Sequence, residues 1–202
     1  MKRIILSEGK NDTIFLRELL TTRIQIDESK ILFFDQNSQD TKKKLKFIEE
    51  DYFDKLQSEW LPYNLLVKSE SGKTKIIDVT ISKLVNLCKQ RYDPIMLIDL
   101  DGNTIDLFED KLKKKFMNRF RGANLTLTSC ELLQKIDEAS VWSIKLCKDD
   151  KTIGTIYIIG FHLNLEDVTG IKNNFHTDEE KKVIVNNYIK NSHIDKIFKK
   201  AL

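Results

Sequence analysis

A pattern met twice constrains this chain most: a short apolar run that stops abruptly at an acid beside a glycine. Ile4-Ile5-Leu6 stops at Ser7-Glu8-Gly9, and a helical pattern starts near Asp12. Pro94-Ile95-Met96-Leu97-Ile98 stops at Asp99-Leu100-Asp101-Gly102. A run apolar at every position needs cover on both sides, as in the middle of a parallel sheet. Such a strand passes the chain to a helix through a tight turn. Acids at these turns lie at the carboxyl ends of strands, where open α/β sheets place their chemistry. The two stretches therefore predict that Glu8, Asp99 and Asp101 converge at one sheet edge.

The remaining elements agree with that frame. Residues 3–8 form the first strand, and Asp12 caps a helix whose apolar face is Ile14, Phe15, Leu16, Leu19 and Leu20. Ile31 to Phe34 is a second strand, followed by a polar loop from Asp35 to Asp40. The highly charged stretch Thr41–Trp60 reads as helix lying outside the sheet. Tyr63–Lys68 is a third strand, and Ile76, Ile77, Ile81, Leu84 and Leu87 mark the next helix. Pro94–Ile98 is the fourth strand, and a helix spans about Thr104 to Arg119. This alternation predicts an α/β fold with a central, mostly parallel sheet and helices on both faces.

After Gly122 the pattern changes. Ala123–Thr128 reads as strand and Cys130–Ile136 as a short helix. Val141–Cys147 and Thr152–Phe161 flank the polar turn Lys148-Asp149-Asp150-Lys151, a late β-hairpin that adds strands at an edge or forms an accessory layer. Thr177-Asp178-Glu179-Glu180 is a capping box that opens a helical C-terminal tail, broken near Asn191-Ser192. The expectation is one domain over residues 1–202: a core over about 3–120 with a helical insertion over about 41–60, then an accessory hairpin and helices over about 123–202.

Bulk properties narrow the class. A length of 202 residues supports one domain with a real core. Charged residues at 32% and hydrophobic residues at 41% argue against global disorder. A net charge of +3 does not demand a polyanionic partner but leaves room for local basic patches. The three cysteines have neither metal-ligand spacing nor the even number of a disulfide framework, which points to a reducing compartment. The apolar run after Met1-Lys2-Arg3 is too short for a signal peptide, and nothing approaches a membrane span. A cytoplasmic protein with no membrane partner is expected.

The chemistry centres on carboxylates. Residues two apart on a continuing strand face the same side, so Asp99 and Asp101 can point into one site. Two hard oxygen donors beside a third acid suit Mg²⁺ or Mn²⁺. Taken alone, Asp-Leu-Asp-Gly is equally a polar turn with Asp as a cap. Ser71-Gly72-Lys73-Thr74 is not a phosphate-binding P-loop, because the required first glycine falls at Val67. The histidines, His162, His176 and His193, show no metal spacing.

Ile4-Ile5-Leu6-Ser7-Glu8-Gly9-Lys10-Asn11-Asp12 and Ile98-Asp99-Leu100-Asp101-Gly102 together resemble the Toprim family, with the flavour of its OLD-family and ribonuclease M5-type nuclease branches. The resemblance covers roughly residues 3–120. It implies a compact α/β domain on a four-stranded parallel sheet. It also implies Glu8 as metal ligand or general acid/base, and Asp99 and Asp101 as Mg²⁺ ligands. Asn164 and Glu166 are similar to a late acidic segment of the OLD-like members, which implies Glu166 at a second metal. One departure is Asn103, which stands where the topoisomerase and primase members continue with a third acid, with Asp106 one turn on. Lys10 and Lys73 are candidates for contact with a phosphate. Of the basic clusters, Lys113-Lys114-Lys115 with Arg119 and Arg121 follows the Asp-x-Asp loop directly and is the first choice for a nucleic-acid backbone, ahead of Lys42-Lys43-Lys44 and Lys199-Lys200.

The expected function is a Mg²⁺- or Mn²⁺-dependent nuclease acting on DNA or RNA. The alternative is a non-catalytic Toprim module that binds nucleic acid or regulates with a partner protein, as a homodimer or with a partner subunit. A phosphotransfer receiver domain also gathers acids at strand ends, but places them differently from a Glu-Gly after the first strand.

Overall fold

β1 (Lys2–Ser7) leads into α1 (Lys10–Glu18), which widens into a π-type turn at Leu19–Arg23 before β2 (Ile31–Phe34). β3 (Leu65–Ser69) precedes α2 (Lys73–Lys89), and β4 (Tyr92–Asp99) precedes α3 (Ile105–Arg119). Then follow β5 (Leu125–Leu127), β6 (Glu131–Lys135), β7 (Ala139–Lys148) and β8 (Lys151–Phe161). The chain closes with α4 (Leu165–Thr169), α5 (Asp178–Asn191) and α6 (Ile194–Ala201). This computed structural model describes residues 2–34, 64–70, 72–89, 91–172 and 174–202. The expected polar loop 35–40 and the expected helix 41–60 lie outside the described residues, as does the first basic cluster.

The described strands form one mixed sheet in the order β2-β3-β1-β4-β8-β7-β5, with β6 pairing on β7. β2, β3, β1, β4 and β8 run parallel. β7 reverses against β8, and β5 and β6 reverse again against β7. The late hairpin thus extends the main sheet instead of forming a layer of its own. Its tip, Asp149-Asp150, has φ of +48° and +62°, the paired positive values that a two-residue turn with matching twist requires. Because β8 docks on β4, Phe161 lies opposite Asp99, and the segment after β8 arrives beside the end of β4.

One expectation is corrected. The short helix predicted for Cys130–Ile136 is strand β6, paired with β7 and bulged between Leu132 and Gln134. A segment this short cannot meet the cost of helix nucleation alone. The free edge of β7 offers it ladder bonds, and Leu133 and Ile136 pack on the core.

Both faces of the sheet are covered, which explains strands that are apolar throughout. Ile5, Leu97 and Ile159 point to α1, α4, α5 and α6, while Ile4, Leu6, Met96 and Ile98 point to α2 and α3. Phe15 of α1 is fully buried, edge-on to Phe161 at 5.6 Å and tilted against Phe198 at 5.9 Å. Truncating such a ring to alanine costs about 3–5 kcal/mol. After β1 the chain leaves towards one face as α1, and after β4 towards the other as α3. Adjacent parallel strands whose connections diverge leave a crevice at their carboxyl ends.

Candidate functional site

That crevice is lined by Glu8, Lys10, Asn11, Asp12, Asp99, Glu166 and Lys181, around a volume of about 390 Å³. Each side chain is fixed by its element. Glu8 follows β1, and its Oε1 accepts the Asp99 N–H at 2.9 Å, which ties the ends of β1 and β4 together. Asp12 Oδ2 reaches back to the Gly9 N–H at 2.7 Å, closing the first turn of α1. Asp99 Oδ1 accepts the Leu165 N–H at 3.0 Å, which holds the start of α4 against β4. Asn164 caps α4 by accepting the Asp167 N–H at 2.7 Å, and this sets Glu166 in the first turn. Asn11 joins the two chain halves: its amide donates to Glu166 at 2.7 Å and its oxygen accepts from Lys181 at 3.2 Å.

The electrostatics follow from burial. Asp12 is 7% exposed, and its carboxyl is pushed well above its usual range, first by desolvation and then by the Asp99 charge. Asp99 is raised to about 7 by burial, then by Glu8 and Glu166. Glu8 is also raised by burial, and the Asp99 N–H and Lys73 pull it partly back. Lys181, itself 7% exposed, is a buried ammonium on the cleft wall. Burial, and after it the repulsion between neighbouring acids, makes these carboxyls hold their protons more tightly than in water. In this conformation no three His, Cys, Asp or Glu side chains among the described residues stand close enough to grip a metal ion together.

The predicted residues separate into three groups. Glu8, Asp99 and Glu166 share the cleft. Lys10 also lines it, with its ammonium on Asp178 of α5 at 2.6 Å. Asp101 lies at the rim. β4 ends at Asp99, and Asp101 has φ of +51° in the turn, so the two-residue periodicity stops before reaching it. Asp101 is exposed and ion-paired to Lys73, whose Nζ also lies 3.9 Å from Glu8. Its charge still raises the Glu8 carboxyl. The turn is held from β8: the Leu100 and Gly102 N–H groups donate to the Phe161 and His162 carbonyls at 2.8 Å. Gly102, at φ +76°, suits a position where a side chain would strain the backbone. Asn103 spends its amide on the Leu100 carbonyl at 2.9 Å, and Asp106 is exposed.

The third group is the basic cluster on α3 and after it. Lys113 pairs with Glu109 at 2.6 Å, and Lys115 pairs with Asp78 of α2. Lys114, Arg119 and Arg121 are exposed. His162 is a brace: its ring bonds Ser140 Oγ at 2.9 Å and the Asp137 carbonyl at 2.8 Å.

Sequence reasoning missed three cleft residues. Asp12 was expected as the cap that opens the helix. The helix instead starts at Lys10 with Gly9 at its N-cap, and Asp12 reaches back from the first turn to the Gly9 N–H, buried beside Asp99 in a way the sequence did not show. Asn11 sits in the same turn, and the Glu8-to-Asp12 spacing of one helical turn was the available signal. Lys181 reaches the cleft from a helix about 170 positions away in the chain, with no local signature.

No family model matches this chain, and no curated protein matches it significantly. Among the described residues no helix is long and apolar enough to cross a membrane.

Proposed function

We propose that this chain is a divalent-metal-dependent phosphodiesterase acting on nucleic acid, with its acids in a Toprim-like arrangement. One observation carries the reading: Glu8, Asp12, Asp99 and Glu166, from three separate parts of the chain, line one cleft in which burial and then mutual repulsion raise the Glu8, Asp12 and Asp99 carboxyls. The donor set is oxygen throughout, which fits a hard cation such as Mg²⁺ or Mn²⁺ and not a soft one. Glu8, Asp12, Asp99 and Glu166 would hold it. A bound divalent ion would supply a Lewis acid for a phosphate oxygen and a bound water of lowered pKa.

The protein's own groups do the rest. Asn11 orients Glu166 and Lys181 together through its two ends. Lys181 presents a dehydrated positive charge to the cleft, where charge growing on a phosphoryl group is stabilised most strongly. Glu8 stands nearest the Lys73 rim and is the candidate to bind the ion or to move a proton at the attacking water. Lys73 can exchange Asp101 for a phosphate oxygen, because that pair is half-exposed and cheap to break.

A cleavage assay tests this directly: single- and double-stranded DNA and RNA with Mg²⁺ or Mn²⁺, wild type against Asp99→Asn and Glu166→Gln. Cleavage by the wild type that both variants lose supports the reading. Cation binding without cleavage of any substrate would move the assignment to a nucleic-acid-binding or regulatory module working with a partner protein. The rim position of Asp101 and the turn-holding role of Asn103 favour that second reading, since both leave the Asp-x-Asp loop with one acid in the cleft.

A further inference from the structure

A second cavity of about 210 Å³ lies on the α2–α3 side of the same strand ends, and Asp99 is part of the wall of both. Its chemistry is unlike the first. The floor is apolar, formed by Ile77, Ile98 and Phe108, and Leu107 stands at its lip with 56% of its surface exposed. Lys73 and Lys111 are on its lining. Lys111 is exposed and has no ion-pair partner among the described residues. Thr104 starts α3 without spending its hydroxyl on the helix.

We propose that this cavity is a base subsite: it holds one unpaired base of the strand whose phosphate occupies the acidic cleft. The inference rests on the phosphodiesterase reading and narrows its substrate to strands with unpaired bases. Three features lead to that occupant. The cavity shares Asp99 in its wall with the phosphate site, so the nucleotide next to a phosphate held in one lies within reach of the other. Its lining pairs an apolar floor with cations, the combination that a nucleotide presents in reverse as a flat ring and a phosphate. Its size admits one ring and excludes a base still paired to a complementary strand, so a duplex must open before it fits. Thr104 is placed to meet a polar edge of the ring.

The test is fluorescence anisotropy of the full chain with a labelled single-stranded oligonucleotide and its duplex, in Ca²⁺, which occupies oxygen sites with looser geometry than Mg²⁺. Leu107→Glu and Lys111→Glu are the variants; both positions are exposed, so folding is not at stake. Each variant is expected to weaken single-strand binding at least about fivefold more than duplex binding, which loses only the charge contribution that does not depend on strand state. A scan with single abasic nucleotides is expected to find one position where removing the base weakens wild-type binding, a penalty that disappears in Leu107→Glu. Unchanged single-strand binding in both variants, or an abasic penalty that persists in Leu107→Glu, would overturn the base subsite and leave the acidic cleft intact. Failure of the parent reading looks different: no nucleic acid binds the wild type and Asp99→Asn changes nothing, which overturns both.

Discussion

The sheet face covered by α1, α4, α5 and α6 ends in acid, while the face covered by α2 and α3 ends in lysine over an apolar floor. On the first side Asp12, Asn11 and Lys181 expose less than a tenth of their surface. On the second side Lys73 and Lys111 stay at the rim and the apolar side chains take the interior. Asp99 and Asp101 show the contrast at the closest range. Asp99 is the last residue of a buried strand and turns into the acidic cleft; Asp101, two positions on, sits in a left-handed turn at the solvent. Buried charge that is not fully paired costs stability, and an apolar replacement of similar shape is often neutral or better. The acidic side therefore carries a cost that packing alone does not explain, whereas the lysine side is an ordinary solvated arrangement around a pocket.

The strongest way to break this comparison is to exchange the two aspartates' fates. Asp99→Asn should lower cleavage on the order of 10²–10³-fold, and Asp101→Asn by less than about tenfold, measured as single-turnover rates. Equal losses would mean that both acids serve one site despite the turn between them. Next in size is Lys181→Met, which keeps the stem and removes the charge. Turnover should fall roughly 100-fold while divalent-cation affinity holds or tightens, because a competing positive charge is gone. Lys73→Met, on the other side, should cost less than about tenfold.

Stability against pH gives a third test. The folded Asp99 carboxyl, raised to about 7, keeps its proton where the unfolded chain, near 3.8, has released it. Glu8 and Asp12 act in the same sense. The folded state then binds more protons than the unfolded one, so stability falls as pH rises from about 4 to 7 and stays low above. Thermal melts without divalent cation should show that fall, and Asp12→Asn should flatten it. A melt that strengthens across this interval contradicts the account.

A smaller effect separates stability from the site. A Cβ at Gly154 would run into the Cys88 side chain on α2. Gly154→Ala should cost about 1–3 kcal/mol by denaturant unfolding and leave cation binding unchanged. The smallest expected change is in the α3 cluster: Arg121→Glu should weaken nucleic-acid binding by roughly two- to threefold, with a shallower salt dependence.

Much of this was legible in the amino-acid sequence where local pattern and final environment agree. The apolar runs before Glu8 and Asp99 are strands because both faces of the sheet are covered, and Thr177 and Glu180 form the capping box their spacing announces. Legibility failed where distant parts decide. Glu131–Lys135 has a helix-like composition, but the open edge of β7 makes it a strand. Asp101 shares its spacing with Asp99, but one residue at positive φ takes it out of register. Lys181 enters the cleft only because α5 packs across α1, a contact that no neighbouring residue signals.

The central claim is that the acidic cleft is a cation site. Calorimetric titration of Mg²⁺ and Mn²⁺ into the wild-type chain near pH 7, repeated in buffers of different ionisation enthalpy, tests it most directly. The account predicts saturable binding with proton release, since Asp99, raised to about 7, must give up its proton to accept the ion, and loss of that binding in Asp99→Asn. No saturable heat in any buffer, or binding that survives Asp99→Asn unchanged, would contradict it.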